Sequence, residues 1–158
     1  MLETGTAAPD FELSDLDGKS WRLKDSLARG PVLLAFFKTS CPTCQFTFPF
    51  LQSLADSEGA GPDRPHLVAI TQDDAASTRR FEERFGVSVP TLVDEPRTYP
   101  ASSAYRITHV PSLFLIENDG KISQAFDGFN KVGIEKLAER FHAAPFRSGE
   151  QVPEQRPG

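Results

Sequence analysis

Alternation comes first along this chain. Phe11-Glu12-Leu13 and Trp21-Arg22-Leu23 interleave apolar and polar residues on either side of Asp17-Gly18. Period-two patterning around an Asp-Gly pair predicts a β-hairpin with one buried face. The pattern then changes. Val32-Leu33-Leu34-Ala35-Phe36-Phe37 is unbroken and apolar, as expected of a central strand covered on both faces. From Cys44 to about Asp56 the spacing is helical, with Phe46, Phe50 and Leu54 at i, i+4 and i+8. Pro49 falls inside that helix and is expected to kink it, because it removes an amide donor.

Gly59-Ala60-Gly61-Pro62 reads as a loop and Leu67-Val68-Ala69-Ile70 as a second buried strand. Asp73 or Asp74 can cap the next helix, whose face is Thr78, Phe81 and Phe85 and whose end is Gly86. Thr91-Leu92-Val93 is a short strand, followed by a short helix near Ala101–Tyr105. Ser112–Glu117 and Ile122–Phe126 flank Asn118-Asp119-Gly120, a second hairpin. Asn130 caps a last helix with Ile134, Leu137, Ala138 and Phe141 inside. Helices alternating with central strands, plus hairpins at both edges, make an α/β layered sheet. It is expected as one domain over 1–143. Residues 144–158, rich in Pro, Gly and charge, are expected to be disordered.

Composition narrows the function classes. At 158 residues the chain can bury one sizeable core. A net charge of −5 without a Lys/Arg cluster gives nucleic acid no footprint. No apolar run approaches the length of a membrane span. The N-terminus, Met1-Leu2-Glu3-Thr4-Gly5, has neither a basic nor an apolar leader region. Read as written, it predicts a cytoplasmic monomer; a chain trimmed of its leader predicts an extracytoplasmic one.

Both cysteines of the chain sit in Cys41-Pro42-Thr43-Cys44, between the buried strand and the helix. Two intervening residues place the sulfurs one helical turn apart, so a bond can close or open between them. Cys41 precedes the first turn, where unpaired N–H groups and the positive dipole end favour a thiolate. Pro42 suits that first turn, because its missing donor has no helical partner there. Cys44 lies deeper. Cys41 is therefore expected to attack a partner disulfide, and Cys44 to resolve the mixed disulfide.

With these residues the chain resembles the thioredoxin superfamily, and within it the redoxin (AhpC/TSA) branch of TlpA-like thiol-disulfide oxidoreductases. The matching segments are Ala8-Pro9-Asp10-Phe11, the strand running into Cys41-Pro42-Thr43-Cys44, and Pro49 beyond it. Val89-Pro90-Thr91-Leu92-Val93-Asp94, Val110-Pro111-Ser112, Asp119-Gly120-Lys121 and Gly128-Phe129 follow in the same order. The resemblance implies a thioredoxin fold: a central mixed sheet flanked by helices, with an N-terminal hairpin and a central strand-helix insertion. It implies a cis Val110-Pro111 bond beside Cys41, with the Val110 backbone pairing an extended substrate segment. Pro42, Thr43, Val110 and Pro111 are the residues expected to meet a protein partner. No cofactor is expected beyond a Cys41–Cys44 disulfide, reset by an upstream thiol reductant or oxidant.

The chain departs from its relatives at three positions. Ser40 stands where they usually carry Trp, Ala35 where thioredoxins bury an acid, and Thr47 where cytochrome-maturation relatives often have Glu. Lys38, His109 and Glu117 are then the candidates for moving the Cys44 proton. Two other functions compete. A thiol peroxidase needs Pro-x-x-x-Thr/Ser-x-x-Cys; counting back from Cys41 gives Lys38 and Leu34 instead. A copper-binding chaperone-like module would use Cys41, Cys44 and His109, since thiolates and imidazole suit copper. The cysteines of such chaperones are spaced one residue further apart.

Overall fold

A computed structural model of the chain describes residues 1–57 and 61–158. The expected loop at Gly59-Ala60-Gly61-Pro62 therefore lies partly outside the described residues. The hairpin pairs β1 (Glu12–Asp15) with β2 (Ser20–Arg22), Leu13 opposite Trp21. A short helix unread in the sequence, α1 (Leu23–Leu27), follows directly. It has five residues and no side-chain cap, too little for a periodic signal.

Strand β3 (Val32–Phe37) lies mid-sheet and is wholly buried. It pairs in parallel with β4 (His66–Thr71). Between them runs α2 (Pro42–Asp56). After α3 (Ala75–Phe85) comes β5 (Thr91–Val93), parallel to β4 and antiparallel to β1. Helix α4 (Pro100–Ala104) leads to β6 (Ser112–Ile116), antiparallel to β3, and on to β7 (Ile122–Asp127). The mixed seven-stranded sheet has the order β2-β1-β5-β4-β3-β6-β7. Strand β8 (Phe129–Asn130) then gives way to α5 (Lys131–Phe141).

Burial on both faces explains why β3 carries no polar residue. Leu33, Ala35 and Phe37 point into one core, with Leu51 and Phe81, while Val32, Leu34 and Phe36 point into the other, with Leu23 and Tyr105. Helices α2, α3 and α5 cover the first face; α1 and α4 cover the second.

The caps follow local rules. Asp74 accepts from Ser77 N at 2.7 Å, Asn130 accepts from Gly133 N at 2.9 Å, and Gly86 ends α3 in the left-handed region at φ 65°. Asp94, fully buried, accepts from Ala101 N and Ser102 N at 2.9 and 2.8 Å. Asp94→Ala strands both donors, so a loss of about 1–3 kcal/mol in denaturant melts is expected; an unchanged midpoint contradicts this role.

Helix α2 is covered on two sides, and its sheet-facing stripe is Cys44, Phe48 and Leu51 rather than Phe46 and Phe50. Those two are half-buried on the flank, against Phe129 at 5.0 and 5.7 Å. Pro49 lies on the exposed side, and the helix continues past it to Asp56. The segment 144–158, for which composition predicts disorder, is laid against the domain. Phe146 packs on Phe50 at 5.1 Å, and β9 (Gln155–Arg156) pairs antiparallel with β8. Average composition hides this, because one aromatic anchor and a few backbone bonds suffice to hold a short segment.

Candidate active site

Strand β3 delivers the chain to a turn at 38–41, closed by Cys41 N–H donating to the Lys38 carbonyl at 3.3 Å. Cys41 is the N-cap of α2, with extended backbone, and Pro42 opens the first turn. The Cys41 sulfur accepts the Cys44 N–H at 3.2 Å, so a helix-end donor is aimed at the atom that would carry negative charge. It also lies 3.4 Å from the Val110 carbonyl oxygen. Val110-Pro111 is cis, as the resemblance implies.

The two cysteines differ in exposure. Both are free thiols; Cys41 is partly exposed, and Cys44 is completely buried among Phe37, Phe48 and their neighbours. Burial, and then the hydrogen bond to the Cys41 sulfur, push the Cys44 thiol well above the ordinary value of 9.0. Folding thus holds this proton more tightly than the unfolded chain does. That stabilisation is complete below the unfolded thiol's value and is lost as pH rises above it. The reduced protein is expected to lose stability from about pH 9 upward. The contribution is at most about 1.4 kcal/mol per pH unit. Cys44→Ala removes it; an identical slope in that variant contradicts the assignment.

At the three departures, Ala35 is buried between Leu113 and Ala69, and Thr47 donates to the Thr43 carbonyl at 2.7 Å. Ser40 is exposed. Of the proton-handling candidates, Glu117 stands beyond the far end of β6. It is held by Arg140 at 2.7 and 2.9 Å, and its carboxyl is lowered chiefly by that bond. Lys38 and His109 line an open cleft of about 730 Å³ that reaches Val110, shared with Gln72, Tyr99 and Arg106. The sequence reading missed Asp73. Its carboxylate accepts from Thr39 N at 2.7 Å and its charge bears on Cys44. In sequence it is one of two adjacent aspartates, and the capping signal accounts for only one.

Thr43 is buried, and its hydroxyl donates to the Pro157 carbonyl at 2.5 Å. Pro42 is exposed beside it. His109 is not gathered with the cysteines: its Nδ1 lies 3.1 Å from Thr108 Oγ1 and 3.8 Å from Asp127. Among the described residues, no group of three or more His, Cys, Asp or Glu side chains gathers to hold a metal. The copper reading thus loses its third ligand. No helix of the described residues is long and apolar enough to cross a membrane.

The model of the AhpC/TSA family matches residues 4–125. ResA, a thiol-disulfide oxidoreductase of Geobacillus thermodenitrificans, is 32% identical over 131 residues, 80% of this chain and 71% of that protein. ResA of Geobacillus kaustophilus is 32% identical over 143 residues, 87% of this chain and 78% of its own length. The thioredoxin domain of a thiol-disulfide oxidoreductase from Bacteroides vulgatus shares the fold. Its TM-score is 0.76 at 20% identity, covering 89% of this chain and 99% of that domain. The chain belongs to the AhpC/TSA family, among its thiol-disulfide oxidoreductases.

Proposed function

We propose that the protein exchanges its Cys41–Cys44 dithiol or disulfide with protein partners, with Cys41 as the nucleophile. The observation that carries this is the asymmetry of the pair: one partly exposed sulfur receives the Cys44 N–H at 3.2 Å, and the other is sealed in the core.

The Cys41 thiolate attacks a partner disulfide, forming a mixed disulfide and expelling the partner's second sulfur as a thiolate. That thiolate takes up a proton. Cys44 then gives up its proton and attacks the Cys41 sulfur. The internal disulfide forms, and the partner leaves with two thiols. Two electrons have moved to the partner, and the reverse sequence oxidises it. The pair itself carries the electrons, so no bound cofactor enters; an upstream thiol reductant or oxidant resets it. One chain supplies both sulfurs and the neighbouring cleft, which supports a monomer as the unit of action.

Competitive alkylation tests the asymmetry. With limiting iodoacetamide at neutral pH, the reduced protein should be modified at Cys41 first, with Cys44 labelled only after unfolding. Equal labelling of both, or labelling of Cys44 alone, contradicts the assignment.

A further inference from the structure

The segment that composition marks as disordered lies across the two elements that frame Cys41. Phe146 anchors its root against Phe50 and Phe129, at 5.1 and 6.3 Å. Further on, Lys131 N–H donates to the Glu154 carbonyl at 2.9 Å, and Arg156 and Gln155 pair with Phe129 and Asn130 of β8. The Arg156 guanidinium sits 5.0 Å over the Phe46 ring. The Pro157 carbonyl accepts the Thr43 hydroxyl, from inside the Cys-x-x-Cys motif. Gly158 lies against the Val110 backbone so closely that a side chain there would collide with the Val110 carbonyl. Gly128, at φ 67°, leaves the room that the Arg156 carbonyl occupies, since a Cβ there would meet it at 2.5 Å.

These contacts are those an extended partner segment would use. Without residues 154–158, the edge of β8, the Thr43 hydroxyl and the Val110 backbone beside the Cys41 sulfur would be free to receive an incoming strand. Resting on the exchange function above, we propose that residues 154–158 are an internal competitor for this docking groove. The partner segment must displace them before it reaches Cys41. The rest of the cleft, along Lys38 and Arg106, stays open for the partner's flanking residues. Competition of this kind scales with occupancy. A segment docked nine-tenths of the time leaves one-tenth of the molecules competent and slows capture about tenfold.

The proposal is tested by kinetics with two disulfides of different size. Deleting 154–158 should raise the second-order rate of the reduced protein with insulin about tenfold. The rate with a small aromatic disulfide, which needs no strand edge, should change less than about twofold. Gly158→Phe, which leaves the fold's core untouched, should act in the same direction. A peptide of sequence Glu-Gln-Arg-Pro-Gly, added to the deletion variant, should slow the insulin reaction again. Hydrogen exchange gives a separate readout: the Lys131 amide is protected in the full chain and exposed in the deletion variant. Unchanged insulin rates, an equal rise for both disulfides, or an unprotected Lys131 amide in the full chain each overturn the proposal. Loss of the exchange reading looks different: the deletion variant would then be inert toward both disulfides.

Discussion

Cys41→Ser abolishes exchange, with a loss of at least about a thousandfold in insulin reduction, while leaving the melting behaviour nearly unchanged. The hydroxyl replaces the sulfur at the helix N-cap, where serine is itself a good cap. The Cys44 N–H therefore keeps an acceptor, and the fold loses little. The chemistry loses its nucleophile, because a serine oxygen does not attack a disulfide under these conditions. Cys44→Ser should behave differently. It keeps the attacking sulfur and removes the resolving one, so turnover stops at the mixed disulfide, not before it. The two variants measured side by side separate attack from resolution. A mixed disulfide formed by Cys41→Ser, or none formed by Cys44→Ser, would contradict the division of labour, whose structural basis is the difference in exposure between the two sulfurs.

Phe48→Ala is the most destabilising single truncation expected near the site, at about 3–5 kcal/mol. Phe48 is fully buried and packs on Phe37 at 4.4 Å and on Phe81 at 5.8 Å, joining α2 to β3 and α3. Domains of this size are stable by about 5–15 kcal/mol, so the variant should melt far earlier and populate unfolded chain near body temperature. Phe48 also lies one helical turn beyond Cys44 on the same buried stripe. Its loss should therefore open Cys44 to alkylation in the native state. Differential scanning calorimetry, with Cys44 labelling at the same temperature, checks both effects. A midpoint within a few degrees of wild type would contradict the packing account.

Much of this was written in local sequence. The apolar run Val32–Phe37 became β3 with the same bounds, because a strand buried on both faces needs no alternation to mark it. Asp74, Gly86 and Asn130 acted where capping chemistry placed them. The cysteine pair was legible for the same reason: its spacing and its place before a helix are local facts. The face of α2 was not legible, because apolar residues surround it. Phe48 packs on the sheet while Phe46 and Phe50 pack on β8 and the tail, and periodicity alone cannot choose between two covered sides. The tail was illegible because its contacts are long-range. Thr43 meets Pro157, and Phe46 meets Arg156, across most of the chain. Glu117 was one of three proton-transfer candidates in the sequence, and only the structure shows it committed to Arg140.

The most direct test of the central claim is to trap the intermediate. Cys44→Ser, reduced and mixed with a disulfide-bonded protein such as insulin, is digested without reductant and read by mass spectrometry. The account predicts a stable covalent complex bridged through Cys41. No complex, although the variant remains folded, would contradict it.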